Sequence, residues 1–221
     1  MAKTGAAPTN PSDETEITLG LLSAVEENSA VTQRSVAQEL GIALGLANAY
    51  LKRCVKKGLI KVKQIPPNRY AYYLTPKGFS EKTRLTGEYL SSSFTFFRRA
   101  RGQCEAIFKE CDERGWRRIA LIGPGDLAEI ATLCAREYGV ELVGILGTKQ
   151  HGRQFAGLPV AASVKALGSF DAVLVTEMQT PQAAVDALDG KVTAERILVP
   201  AMLRVTRKFQ SDQQADTAEA E

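Results

Sequence analysis

The sequence predicts an α/β chain of two domains joined by a long helix, and three observations predict it. Residues 15–77 read in order as helix, helix, turn, helix and hairpin. Residues 78–115 keep helical apolar spacing throughout. Residues 116–208 alternate short apolar strands with helices, the pattern of a small parallel sheet. The flanks, 1–14 and 209–221, lack that periodicity and are expected to be disordered tails, the second acidic.

In the first segment, Ile17, Leu21, Leu22 and Val25 recur at helical spacing and predict a helix over 15–28. Thr32 is suited to cap a second helix, with Gln33, Arg34 and Ser35 in its first turn. Val36, Ala37 and Leu40 form its buried face, Gly41 supplies a left-handed stop, and Ile42 plugs the turn. A third helix runs from 43 to 57, ended by Gly58, with Ala47, Leu51 and Cys54 inward. Residues 59–63 and 70–74 read as strands around the turn Pro66, Pro67, Asn68 and Arg69. This order is that of a winged helix-turn-helix.

The helix that follows carries Phe79, Leu85, Tyr89, Leu90, Phe94, Phe97, Ile107 and Phe108. One small domain cannot cover so much apolar surface, so such a helix connects domains or pairs with a partner helix. Beyond it, strands are expected at 118–122, 140–146, 171–175 and 196–199. Helices are expected at 127–138, 164–167 and 180–188. The result is a small Rossmann-like parallel sheet.

Composition is that of an ordinary globular chain: 221 residues, 44% hydrophobic, 24% charged, net charge +3. No apolar run is long enough for a bilayer and no secretory signal is evident, so no membrane partner and a cytoplasmic location are expected. Cys54, Cys104, Cys111 and Cys134 lack zinc or CxxC spacing and read as reduced thiols. Cys104 and Cys111 share a helix face, where core packing is the default and a redox pair across a dimer the alternative. No Ser/His/Asp set, carboxylate pair or metal cluster appears; the expectation is no enzyme and no metal. Positive charge is instead local: Lys52, Arg53, Lys56, Lys57, Lys61, Lys63 and Arg69 fall within 52–69 with no acid among them.

That charge coincides with the third helix and hairpin, so double-stranded DNA is the expected partner. The outward face of the helix would carry Leu44, Gly45, Asn48, Ala49, Lys52 and Arg53. Asn48 suits an adenine edge; Lys52 and Arg53 suit guanine or phosphate. Gln33, Arg34 and Ser35 at a helix start suit phosphate. Lys61, Lys63, Asn68 and Arg69 would set the wing on the DNA backbone or minor groove. The alternative is a winged helix used for protein contacts.

Gly41-Ile42, residues 48–60, the aromatic strand 70–74, and Leu74-Thr75-Pro76-Lys77-Gly78 followed by Glu81-Lys82 and Arg84-Leu85-Thr86 carry a resemblance. Over about 17–110 the chain resembles MarR-type winged-helix regulators associated with exopolysaccharide gene clusters. The resemblance implies a homodimeric DNA-binding regulator, with one reading helix per half-site of a pseudo-palindromic operator.

The second segment has its own motif. Gly123, Gly125 and Ala128 make GxGxxA between a strand and a helix, with Asp126 and Leu127 at the helix start. Such a turn suits a phosphate, although Asp126 opposes one. An NAD site is disfavoured, since Gly147, Thr148 and Lys149 stand where it requires an acid. Lys149, His151 and Arg153 would meet phosphates instead. Residues 121–129, 142–145 and 155–160 resemble the Rossmann-like N-terminal domain of nucleotide-sugar dehydratases and sugar transferases, over about 117–203. The resemblance implies a nucleotide or nucleotide-sugar effector; the residues themselves point to no certain cofactor. The alternatives are a ligand-free dimerisation domain, or a nucleotide-sugar enzyme with an accessory winged helix.

Overall fold

A computed structural model describes residues 11–65, 69–147 and 152–206, and the side chains of 11–13 and 69 are outside the description. The expected C-terminal tail and the site candidates Asn68, Lys149 and His151 lie outside the described residues, as does residue 1–10 of the N-terminal tail. The chain falls into two units, residues 1–95 and 96–221.

The first unit opens with α1 (Pro11–Glu27), α2 (Gln33–Glu39) and α3 (Leu44–Lys56), followed by the antiparallel pair β1 (Ile60–Ile65) and β2 (Arg69–Leu74). α1 is described from Pro11, four residues before the expected start at 15, so 11–14 are helix rather than tail. The residues carry the reason: proline is favoured in a helix's first turn, and Glu14 complements the dipole there. Thr32 caps α2 as expected. Its Oγ1 accepts from the Ser35 amide at 3.0 Å, while the Thr32 amide donates to Ser35 Oγ at 2.9 Å. Gly41 then reverses the chain at φ +62°. Leu21, Leu22, Val25, Val36, Leu51 and Ile60 make the buried core of this unit.

α4 (Pro76–Glu113) is a single helix of 38 residues, about 57 Å long at 1.5 Å per residue, and it contributes to both units. Its start explains the Leu74-Thr75-Pro76-Lys77-Gly78 motif. Thr75 Oγ1 donates to the Gly58 carbonyl at 2.7 Å and accepts from the Gly78 amide at 3.0 Å. Lys77 Nζ donates to the Lys57 carbonyl at the end of α3. A Cβ on Gly78 would stand 2.1 Å from the Leu59 carbonyl oxygen, so only glycine fits.

The second unit is built on a sheet of six strands: β3 (Arg118–Ile122), β4 (Glu141–Leu146), β5 (Gln154–Phe155), β6 (Leu158–Ala161), β7 (Ala172–Val175) and β8 (Ile197–Leu198). Their spatial order is β5-β6-β4-β3-β7-β8, with every neighbouring pair parallel except the β5–β6 hairpin. The expected sheet was wholly parallel with four strands; the hairpin is the difference. Its turn places Ala156 at φ +49° beside Gly157, a conformation an alanine does not advertise. α5 (Asp126–Ala135) and α6 (Pro181–Asp186) are both shorter than expected. The 164–167 segment is a single 3₁₀ turn.

Both sheet faces are covered. Ile119, Leu121, Ile145 and Leu174 pack on one side with Ala100, Cys104, Phe108 and Cys111 of α4 and with α5. Ala120, Ile122, Val173 and Val175 pack on the other with Leu167, Leu188 and Val192. Asp171 ties the N-terminal strand ends together. Its carboxylate accepts from the amides of Arg117 and Arg118, both at 2.8 Å, and Arg196 donates to its carbonyl. Among the described residues no helix is long and apolar enough to cross a membrane.

Candidate functional site

α3 presents a polar, small-residue face. Leu44, Gly45, Ala49, Lys52 and Arg53 are exposed, while Ala47, Leu51 and Cys54 are buried. No side chain caps its start at Ala43, and the space beside Gly45 is open. Tyr50 is buried as well, which spacing alone did not reveal; the Arg53 guanidinium sits 5.7 Å from its ring centre. Arg53 also pairs with Glu14 of α1. Both partners of that ion pair are about half exposed, so water screens it and a phosphate could replace Glu14 at small cost. The signal for Glu14 in the sequence is an acid beside the start of α1.

Asn48 is placed differently. It is half-buried, and its Oδ1 is buried without a hydrogen-bond partner among the described residues. A bidentate adenine contact needs both ends of the amide, so it requires this side chain to rotate. An unmet buried carbonyl costs about 1–3 kcal/mol, which such a rotation would recover.

At α2, Arg34 is exposed and Gln33 half-buried, but the Ser35 hydroxyl is engaged with Thr32 as acceptor of its amide and donor to its carbonyl at 2.9 Å. In the hairpin, Lys61 lies opposite Tyr73 and Lys63 opposite Ala71, which sets both lysines on one face. Lys61, Lys63 and Tyr73 are all exposed. Spacing alone does not reveal Tyr73 as a neighbour: its register opposite Lys61 puts a phenol within the basic face. Arg69 belongs to β2, opposite Ile65.

The glycine turn follows β3 at the sheet's C-terminal edge. Gly123 has φ +97°, and a Cβ there would lie 2.5–2.7 Å from Glu177 atoms, including its backbone. Thr176, buried, donates to the Gly123 carbonyl at 2.6 Å. Glu177 folds over its own loop, accepting from the amides of Gln179 and Thr180. Gly123 is therefore required by packing against the β7 loop. Leu127 and Ala128 are fully buried in the core. Gly125 stands before α5, whose start has no side-chain cap, with open space beside it, and Asp126 and Glu129 complement the helix dipole from within. Arg153 is exposed next to β5.

A cavity of about 430 Å³ in this unit is lined by Ile107, Glu110, Arg114, Glu195, Ile197, Leu198 and Val199. None of residues 123–127 lines it. Arg114 pairs with Glu110 at 2.5 Å and stacks over Trp116 at 4.7 Å. Arg101 is held by Glu105 and Glu137, which joins α4 to the turn after α5, while Arg98 and Arg99 are exposed.

All four cysteines are buried free thiols. Burial pushes Cys104 up to about 12 and Cys111 to about 11, and raises Cys54 and Cys134. A thiol so disfavoured as thiolate is a poor nucleophile, so core packing accounts for them. Among the described residues no group of His, Cys, Asp and Glu could hold a metal ion.

Residues 14–61 match the family described as winged helix-turn-helix DNA-binding. No curated protein sequence matches the chain. Among solved structures, it is similar to MepR, a transcription regulator of the Staphylococcus aureus multidrug efflux pump MepA, at 24% identity and TM-score 0.33, covering 38% of this chain and 62% of that one. A MarR transcriptional regulator from Methanosarcina mazei Go1 shares 18% identity at TM-score 0.31, covering 38% and 68%. A structure of PigF with SAH shares 13% at TM-score 0.28, covering 76% and 68%. The chain spans about three fifths of the first structures it matches, and with these TM-scores below 0.5 the likenesses carry nothing about the overall architecture.

Proposed function

We propose that the chain is a DNA-binding transcriptional regulator of the MarR type, acting as a homodimer on a pseudo-palindromic operator. The observation that carries this reading is the exposed basic surface of α3 and the hairpin. Lys52, Arg53 and the small residues Gly45 and Ala49 are exposed on α3, and Lys61 and Lys63 on the hairpin; all but Lys63 fall within the segment that matches the winged helix-turn-helix family. Small residues permit close entry to a major groove, and the cations release counterions from DNA phosphates. In this reading 15–77 is the DNA-binding domain, 78–115 the connecting and dimerisation helix, and 116–208 the regulatory domain.

The regulatory ligand in this reading is a nucleotide or nucleotide sugar, in keeping with a role in exopolysaccharide synthesis. The uncapped start of α5 at Gly125 and the open space beside it support a site there. Asp126, Glu129 and Glu177 set its electrostatic condition: the phosphates must be neutralised by Arg153, Lys149 or His151. A ligand regulates only if it binds two dimer geometries with different affinity.

A gel shift against DNA upstream of the chain's own gene tests the main reading. A complex that weakens steeply with salt, and is lost when Lys52 and Arg53 are both replaced by alanine, is expected. Retained binding in that double variant rejects α3 as the reading helix. Calorimetry with UDP-sugars and nucleoside diphosphates tests the effector; no heat at millimolar ligand removes it.

A further inference from the structure

We infer that α4 pairs antiparallel with α4 of a second copy of this chain, through Phe79, Thr83, Thr86, Leu90 and Phe94. The inference rests on the homodimer of the proposed function and assigns its seam.

These five residues are spaced by 4, 3, 4 and 4 along the helix, which keeps them on one face. The face is uncovered: Phe79 is 48% exposed, Leu90 46% and Phe94 61%. The two threonines add apolar surface, because their hydroxyls are turned back on the helix. Thr83 Oγ1 donates to the Phe79 carbonyl at 3.0 Å and Thr86 Oγ1 to the Lys82 carbonyl at 2.9 Å. Their methyl groups are left for the face.

Residues 87–95 are exposed on every side. They include Gly87, Ser91, Ser92, Ser93 and Thr95, all weak helix formers. Helices are held mostly by packing of an apolar face, so this stretch needs a cover. The undescribed segments of this sequence do not offer one: 1–10, 66–68, 148–151 and 207–221 hold Met1 and Phe209 as their only large apolar residues. A second copy does offer one, since it brings the same stripe.

Size complementarity sets the direction. Bulky residues stand at both ends of the stripe, Phe79 at one and Leu90 with Phe94 at the other, and small ones in its middle. Antiparallel helices crossing near residue 88 place Leu90 over the partner's Thr86, and Phe94 over the partner's Thr83. Parallel helices would stack Phe94 on Phe94 and leave a gap at the threonines, the arrangement close packing rejects. The charged neighbours, Arg84 with Glu81 and Glu88, are paired with one another on the far side of the helix. Small Gly87 and Ser91 flank the seam and allow close approach.

Sedimentation of the full chain without DNA tests this. The wild type is expected to be a dimer at micromolar concentration. Replacing Leu90 and Phe94 together by glutamate should weaken self-association roughly 100-fold or more. Leu133→Glu, at another exposed apolar position, should leave the dimer intact. Leu90→Glu alone should also weaken the dimer, and adding Thr86→Lys to it should restore association, because the antiparallel seam sets each lysine against the partner's glutamate. A monomeric wild type, a dimer that survives Leu90→Glu with Phe94→Glu, or failure of the Thr86→Lys pair to rescue would each overturn the assignment. Loss of DNA binding with the dimer intact would count against the proposed function and leave this seam standing.

Discussion

The basic face of α3 and the hairpin can be set beside the glycine turn after β3. Each is a short motif at the edge of its unit, yet their residues are employed differently. Lys52, Lys61 and Lys63 are exposed, Arg53 holds a pair that water screens, and Asn48 keeps a buried carbonyl unmet. At the turn, Gly123 abuts Glu177, Leu127 and Ala128 are core, and the helix dipole is complemented by Asp126 and Glu129. A motif points outward when its residues keep demands the fold has not met. By that measure the basic face faces a partner, and of the turn's two glycines Gly125 is the one with open space beside it.

Substitutions can break or sharpen this contrast. The largest effect is expected from Gly123→Ala, which forces a side chain against the Glu177 backbone at positive φ. It should destabilise the second unit by about 2–4 kcal/mol, read by denaturant unfolding. A loss below about 0.5 kcal/mol, the range of ordinary surface changes, would show that the close approach is not required. Next, replacing Lys61 and Lys63 together by alanine should lower DNA affinity about tenfold and the salt slope by about 2, without altering unfolding. An unchanged salt slope would remove the hairpin from the interface.

A smaller effect concerns Asp171. The amides of Arg118 and Arg117 hold its carboxyl below the usual carboxylate range. A depressed folded pKa gives stability that is present above about pH 4 and lost as pH falls through the folded value. Asp171→Asn should therefore lower stability at pH 7 and flatten the acid limb, the variant and wild-type curves converging as pH falls below the folded value. An acid limb identical to wild type would assign that dependence to another carboxylate. The smallest structural effect is expected from Gly125→Ala. Nothing lies within 4 Å of the added Cβ, so stability should change by less than about 0.5 kcal/mol. The same variant should weaken nucleotide binding if the effector site is real, which separates the two glycines.

Local signals in the sequence located local structure. Thr32 with Ser35, Gly41, and Pro76 after Thr75 act within a few residues, and each marks the helix boundary its chemistry implies. The exposed face of α3 followed from spacing for the same reason. What spacing could not supply depends on distant partners. The burial of Tyr50, the pairing of Arg53 with Glu14, and the amide contacts of Asp171 arise only once remote segments meet. The β5–β6 hairpin escaped because two-residue and four-residue strands carry little periodicity and Ala156 is not a turn former. At the glycine turn the motif was legible, but its use was not: the neighbour that makes Gly123 necessary is Glu177, on another strand's loop.

The cysteines carry a consequence of another kind. Cys54 lies in the first unit and Cys104, Cys111 and Cys134 in the second, all shielded from solvent. A thiol reagent can reach them only through opening of the unit that holds each. Timed labelling of the native chain, read by peptide mass, would thus clock the opening of the two units separately, with no foreign probe introduced.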